Sequence, residues 1–301
     1  MGRRLLVTGG AGFLGAHILT EAGGELALHA VDAATAPFAR ETLSWHTLDL
    51  RDRKALQDLV LRLEPDVVVH TAALSDIDFC ESNPREAEVV NTEATLQLAE
   101  LCRRTGARLI FFSSDSVFDG TRGGYRETDP PRPLNHYART KVRAERGIRD
   151  ILANHVIIRP SLIMGLPVLT SGNSFLWRLL QSLESGLPSA FPRVEIRTPI
   201  DVVTLSRATL ELVGLTFTGV LHLAGNDRLS RYEMARRIAC AMGYPAELIV
   251  DKEPQPAHGR ALRPVDASLD NTLAKSVLTT PMKDFDDALR LIVEARGNRE
   301  P

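Results

Sequence analysis

The chain lacks any apolar run approaching the ~18 residues that a membrane-spanning helix needs, so no membrane partner is expected. It also lacks an excess of either charge. Its 36 basic and 38 acidic residues leave a formal net charge of −2, whereas nucleic-acid binders usually carry a strong basic surplus. Cysteine is scarce. Cys80, Cys102 and Cys240 are odd in number and far apart, without disulfide or metal-ligand spacing, which points to thiols in a reducing, cytoplasmic setting. The opening "MGRRLLVTGG" carries Arg3 and Arg4, but its apolar stretch runs at once into glycines, too short for a secretory leader. Leu6 stands where a myristoylation signal needs Ser or Thr. Internal repeats and low-complexity tracts are absent, and no carboxylate cluster points to a metal.

What is present is ordinary globular material: 301 residues, 44% hydrophobic and 25% charged, enough for two domains or one domain with an elaborated lobe. Short apolar runs alternate with helical patterns through the first half. "RLLVTGG", "LALHAVD", "SWHTLDL", "DVVVHTAA", "ARLIFFSSD" and "HVIIRPS" read as strands, several apolar enough to be buried on both faces of a parallel sheet. Helical patterns fill the gaps at Gly12 to Ala22, Arg53 to Glu64, Asn91 to Thr105 and Tyr137 to Leu152. This alternation predicts a doubly wound, Rossmann-type α/β sheet.

After Pro160 the rhythm changes. "MGLPVLTSGN" is loop-like, "SFLWRLLQSLESG" an amphipathic helix, and "LPSAFPRVEIRTP" extended. A helix over Thr204 to Val213 leads to one more sheet-like piece, "GVLHLAG". Helices at Arg231 to Met242 and Lys283 to Ala295 flank a proline-bearing linker, Glu253 to Pro264. The expected division is a nucleotide-binding domain from 1–160 and about 194–225, with a smaller α/β substrate lobe from about 161–193 and 226–301.

"VTGGAGFLGAH" follows the first strand and opens the first helix. Gly9, Gly12 and Gly15 recur every three residues, and Gly10, Gly12 and Gly15 also fit a G-x-G-x-x-G phasing. Glycines there permit a tight turn, backbone approach to a pyrophosphate and close packing of helix on strand, while the helix N-terminus offers N–H groups to the phosphates. Asp32 ends the second strand about 20 residues on, where an acid can accept from the ribose hydroxyls and repel a 2′-phosphate. It favours NAD over NADP, unless it merely caps a loop. Asp49, closing "SWHTLDL", either meets the adenine edge or serves as a turn residue.

Within "NHYARTK", Tyr137 and Lys141 are four apart, so a helix presents both on one face. Tyrosine ordinarily ionises near ~10. A nearby lysine ammonium favours the phenolate, and an oxidised nicotinamide adds to that. Tyr137 can then pass a proton to a carbonyl oxygen as hydride reaches its carbon, with Ser114, at the end of the fifth strand, hydrogen-bonding the same oxygen. Lys141 would also hold the nicotinamide ribose.

"TGGAGFLG", the Ser-Tyr-Lys set and Asn91 in "VVNTEATLQLAE" together resemble the extended short-chain dehydrogenase/reductases. "HTAALSDIDFCESNPREAEVVN", "SSDSVFDG", "RPLNHYARTKVRAE", "HLAGNDRLSRYEMARRIA" and "RPVDASLD" are similar to the corresponding parts of the dTDP-4-dehydrorhamnose reductases, over nearly the whole chain. The first of these looks like an alanine-rich strand followed by a turn. The resemblance implies a catalytic set of Ser114, Tyr137, Lys141 and Asn91. Asn91 would help hold a proton-relay water, or else cap a helix. It implies a cofactor set of Gly9, Gly12, Phe13, Leu14, Gly15, Asp32, Asp49, Leu50, Thr71, Ala72, Ala73, Tyr137 and Lys141. Ser114, Asp115, Asn173, Trp177 and Arg263 would meet a nucleotide-sugar substrate, with a surface salt bridge as the other use of Arg263.

Ser116 stands where the family usually has tyrosine, Ala138 replaces a common glycine, and His70 with Thr71 resembles the sugar-nucleotide epimerases instead. The implied activity is NAD(P)-dependent reduction of a 4-keto-deoxysugar nucleotide. Its alternatives are an epimerase or dehydratase that retains NAD, and a nucleotide-binding regulatory subunit like those accompanying methionine adenosyltransferase. A homodimer is compatible with each. His17, Trp45 and His222 read as packing residues, and the arginines of "YARTKVRAERGIRD" as a solvated helix face.

Overall fold

The computed structural model describes residues 2–36, 42–169, 174–252 and 260–297. Seven parallel strands form the central sheet: β1 (Arg3–Thr8), β2 (Leu26–Asp32), β3 (Leu43–Thr47), β4 (Val67–His70), β5 (Arg108–Phe112), β6 (His155–Pro160) and β7 (Gly219–Leu223). Their spatial order is β3-β2-β1-β4-β5-β6-β7, and every neighbouring pair runs parallel. The order reverses between β1 and β4, and the crevice beyond the carboxyl ends at such a switch point is where ligands bind in open α/β sheets. Each strand expected from the sequence is present. The chain therefore has the Rossmann-type α/β fold.

Alternation along the strands builds two cores. Leu5, Val7, Val67, Val69, Ile110 and Ile158 face α1 (Phe13–Glu21) and a later helix, Val202–Gly214. Leu6, Val68, Leu109, Phe111 and Ile157 face the opposite way, toward α2 (Arg53–Leu63) and the helices Ala94–Thr105 and His136–Ile151. Each buried Val, Leu or Ile contributes roughly 1.5–3 kcal/mol, which is why β4, β5 and β6 carry no exposed residue.

The segment after β4 departs from the expected turn. It folds into α3 (Ile77–Ser82), capped by the Asp76 carboxylate accepting from the N–H groups of Asp78 and Phe79, and α4 (Pro84–Glu88), with proline in its first turn. A single π-helical turn, Val89–Glu93, then leads into α5 (Ala94–Thr105). Asn91 thus lies inside continuous helix and caps nothing. The N-cap of α6 (His136–Ile151) is Asn135, whose side chain accepts from the Ala138 N–H.

Beyond β6, α7 (Phe175–Glu184), α8 (Val202–Gly214), α9 (Arg231–Ala241), α10 (Thr272–Val277) and α11 (Phe285–Gly297) follow; α10 was not legible as a helix. A third core gathers Leu176, Leu179 and Leu183 of α7, Met234 and Ile238 of α9, and Phe285, Leu289 and Ile292 of α11. Proline-rich extended chain forms two-stranded pairings here, Ser189–Phe191 with Ile249–Asp251 and Ile196–Arg197 with Leu229–Ser230. Among the described residues no helix is long and apolar enough to cross a membrane.

Candidate active site

A cavity of about 630 Å³ opens at the carboxyl ends of β1, β2, β4, β5 and β6, within the ~300–1,000 Å³ range of ligand pockets. Gly9, Gly12, Phe13, Leu14, Asp32, Asp49, Leu50, Thr71, Ala72, Ala73, Ser114, Asp115, Tyr137 and Lys141 all line it. Residues from six separate segments of the expected set therefore converge on one space.

The floor at one end is the glycine turn. Gly9 has φ +73°, and a Cβ there would sit 2.7 Å from the Ala72 nitrogen. A Cβ on Gly15 would come within 2.1 Å of the Gly9 carbonyl oxygen, so this glycine lets α1 lie against the turn. Gly10 instead backs onto Ala30 and Trp45, so of these glycines Gly9 and Gly12 line the cavity. Gly12 caps α1 with no side-chain hydrogen bond, leaving the helix start to a ligand's phosphates. These features fit a dinucleotide.

Asp32 caps a loop, one of its two expected uses, at a position open to the cavity. It lines the cavity, and its carboxylate accepts from the Ala11 N–H and the Ala34 N–H, both at 3.0 Å. Each oxygen still has a lone pair for a ribose hydroxyl. Asp49 is clasped by the Arg51 guanidinium at 2.6–3.1 Å, which holds its carboxyl below the usual range. Thr71 secures the turn by donating to the Thr8 carbonyl at 2.7 Å. His70 is a bolt between β1 and α5, with Nδ1 2.6 Å from Thr8 Oγ1 and Nε2 2.9 Å from Thr95 Oγ1. Burial pushes it down to about 3, so it is neutral.

At the other end, Ser114 accepts from the Ser116 N–H at 3.1 Å, which orients its hydroxyl at the start of a short 3-10 turn. Tyr137 and Lys141 are both buried on α6. Lys141 Nζ donates to the Phe112 carbonyl at 3.0 Å and sits 5.8 Å from the centre of the Tyr137 ring. The expected pull of Lys141 toward the phenolate does not prevail in the chain alone. Desolvation raises the phenol well above the ordinary value, opposed by a hydrogen bond with Ser114 and reinforced by neighbouring Asp115. Lys141 is itself pushed down to about 8 by burial. In the chain alone Tyr137 therefore keeps its proton, the state that a proton donor requires.

The other expected residues, Asp115 excepted, fall outside this cavity. Asn91 does not line the cavity; its amide clamps the Leu74 backbone, accepting from Leu74 N–H at 2.8 Å and donating to the Leu74 carbonyl at 3.0 Å. That amide holds the Ala73–Ser75 wall in place. Asp115 is buried, 3.4 Å from Arg197 Nε, and burial raises its carboxyl despite that arginine. Arg263 forms a two-pronged pair with Asp78 at 2.6 and 2.7 Å, so it takes the salt-bridge option. Trp177 lines neither large cavity, and Asn173 lies outside the described residues. Trp45 donates to the Ala34 carbonyl, and His222 faces the Tyr125 carbonyl, as packing residues do.

The sequence reading missed a second cavity, of about 570 Å³, between α7 and α9. Arg178, Arg231, Lys252 and Arg260 line it with Glu195 and the rings of Phe175 and Phe191. Arg231 lies 4.6 Å over the Phe175 ring, and its Nη1 is buried with no hydrogen-bond partner among the described residues. Desolvation pushes this guanidinium down to about 10. Its Nε pairs with Glu195 at 3.7 Å, so the unmet Nη1 donor is what an anion in this cavity could engage.

A family model described as the RmlD substrate binding domain matches residues 3–297. The methionine adenosyltransferase 2 subunit beta of Bos taurus is 32% identical over 274 residues, covering 89% of this chain and 80% of that protein. A probable low-salt glycan biosynthesis reductase of Haloferax volcanii is 29% identical over 252 residues, covering 83% and 84%. Among solved structures, a dTDP-4-dehydrorhamnose reductase from Bacillus anthracis in complex with NADP superposes with TM-score 0.86 at 21% identity, covering 98% of this chain and 100% of that one.

Proposed function

We propose that this chain, which belongs to the RmlD substrate binding domain family, is an NAD(P)-dependent reductase of a 4-keto-deoxysugar nucleotide. The observation that carries this reading is one cavity holding the glycine turn and Asp32 at one end and Ser114, Tyr137 and Lys141 at the other. A dinucleotide with its pyrophosphate on that turn would reach the other end with its reduced nicotinamide and would supply hydride there to a carbonyl carbon. Phe13, Leu14, Leu50, Ala72 and Ala73 enclose the dinucleotide, and Asp32 favours NAD by accepting from the adenosine ribose. Ser114 hydrogen-bonds the carbonyl oxygen, and Tyr137, protonated in its buried setting, gives that oxygen its proton. Lys141 holds the nicotinamide ribose and faces the phenol. Arg231, Arg178 and Arg260 take the diphosphate, and Phe175 or Phe191 the base.

In this reading residues 1–160 with about 194–225 carry the dinucleotide, and about 161–193 with 226–301 carry the sugar nucleotide. The setting is the reducing cytoplasm, where Cys80, Cys102 and Cys240 stay as thiols. The test mixes purified protein with dTDP-4-dehydrorhamnose and NADH or NADPH and follows loss of the reduced nicotinamide absorbance. Turnover that falls ~10²–10⁴-fold in Tyr137→Phe supports the reductase.

A second reading rests on the 32% identity to the methionine adenosyltransferase subunit. Under it the chain binds a nucleotide and accompanies another enzyme. Absence of turnover, with stable co-elution of a methionine adenosyltransferase catalytic subunit, would favour that reading.

A further inference from the structure

Helix α6 presents Tyr137, Lys141 and Glu145 at intervals of four, so Glu145 lies one turn below the two residues already placed in the cavity. Glu145 is 0% exposed, and Arg159 on β6 is 1% exposed. Arg159 donates to both carboxylate oxygens, at 2.9 Å from Nε and 2.6 Å from Nη2. Ser113 Oγ donates to the same carboxylate at 2.5 Å. Lys141 meanwhile grips the Phe112 carbonyl at 3.0 Å. Two successive residues at the end of β5 are thus tied to α6, and the next is Ser114. A buried ion pair is weak evidence for stability, because desolvation can exceed the attraction. Its place directly under the site points to another use.

We propose that Glu145 is a positioning residue, which fixes the end of β5 through Ser113 so that Ser114 faces Tyr137, and which supplies the countercharge for the Lys141 ammonium. This deepens the reductase reading and rests on it for the parts played by Ser114 and Lys141. Lys141 is faced by Cys80 from α3, by neutral His70 from β4 and by Glu145 from its own helix. The Cys80 thiol is pushed up to about 11 by burial, so near neutrality it carries no charge and Glu145 supplies the negative one. Facing Glu145 are Arg159 and, 3.2 Å away, Arg149. Behind Arg159 stands His222, held neutral by burial, whose backbone N–H donates to the Glu127 carboxylate at 2.9 Å. Removing the Glu145 charge leaves Arg159 uncompensated and drives a proton off Lys141.

The chain has five lysines, at 54, 141, 252, 275 and 283, so acylation by acetic anhydride can be followed at each by peptide mass spectrometry across a pH series. Glu145→Gln should lower the midpoint of Lys141 by about one pH unit and leave the other lysines unmoved. Because that variant strands a buried arginine, the double variant Glu145→Gln/Arg159→Met serves as partner. Its neutral pair should fold, and the Lys141 midpoint should return toward the unsubstituted value. Ser113→Ala should leave the Lys141 titration alone and lower kcat by roughly tenfold at constant KM, from a misplaced Ser114. Folded Glu145→Gln protein whose Lys141 titrates as before would overturn the countercharge, and full kcat in Ser113→Ala would overturn the positioning. An unsubstituted chain with no turnover defeats the reductase reading alone, and the Lys141 curves still decide for or against Glu145.

Discussion

Replacing Gly15 by alanine tests how closely α1 must lie on the glycine turn. An added Cβ would stand 2.1 Å from the Gly9 carbonyl oxygen, and real Cβ atoms essentially never come within 3.0 Å of such a neighbour. The helix start must therefore withdraw by the difference, 3.0 − 2.1 = 0.9 Å. Alanine gains about 1 kcal/mol over glycine inside a helix, while forced overpacking costs about 1–3 kcal/mol. Because the obstructing atom is backbone, the clash prevails and the net loss is up to about 2 kcal/mol. The functional cost is separate. Weakening one charge-assisted hydrogen bond from the helix start to a phosphate, at about 1.5–3 kcal/mol, raises the Kd for NADH roughly 10- to 150-fold. Urea unfolding and a calorimetric titration with NADH read the two effects. Gly23→Ala is the control, since nothing lies within 4 Å of its added carbon, and it should match or slightly exceed the unsubstituted stability. Gly15→Ala protein that unfolds at the same urea concentration and binds NADH as tightly would refute the reasoning.

Asp32→Ala should lower the preference for NADH over NADPH by about tenfold in kcat/KM, the equivalent of one hydrogen bond to the ribose; an unchanged ratio would reduce Asp32 to a cap for Ala11 and Ala34. Arg231→Met should raise the Kd for dTDP about 10- to 100-fold in a calorimetric titration, with kcat within a few-fold, and unaltered binding would empty the second cavity of its assigned role. His70 and His222, both pushed to about 3 by burial, are neutral in the folded chain, whereas the unfolded chain takes up their protons below the ordinary value of 6.5. Stability is thus intact above that value and falls as pH drops toward 3, by at most ~1.4 kcal/mol per pH unit for each histidine. The urea midpoint should track that decline, and a His70→Asn/His222→Asn chain that declines as steeply between these limits would contradict it.

How much could be read in advance depended on range. β4, β5 and β6 were legible because strands buried on both faces are almost wholly apolar, and that pattern survives in one dimension. Tyr137 and Lys141 were legible because four residues make one helical turn. The α3–α4 pair was not, since two helices of six and five residues carry too few apolar repeats to outweigh Asn83 and Pro84. The second cavity was invisible for a different reason. Arg178, Arg231, Lys252 and Arg260 come from four segments without common spacing, and only the tertiary fold juxtaposes them. The same holds for Arg263 and Asp78, 185 positions apart. The direction of the Tyr137 shift was not legible, because a motif shows a neighbour's charge and hides the depth of burial.

The outer strand β7 and its preceding helix α8 also shape how this protein is made. A ribosome that has released the chain as far as Pro160 has delivered six strands and α1, yet Val202, Leu205, Ala208 and Leu212, which pack into the same core as Leu14 and Ile18, are still unsynthesised. Until about 60 further residues emerge, through Leu223, the α8 side of the sheet is incompletely covered and the outer edge of β6 is bare, the kind of surface that recruits chaperones or pairs with another nascent chain. Slow decoding between Pro160 and Val202 would lengthen that exposure, so yield in a heterologous host should respond to codon choice in this interval more than in the tail after Phe285.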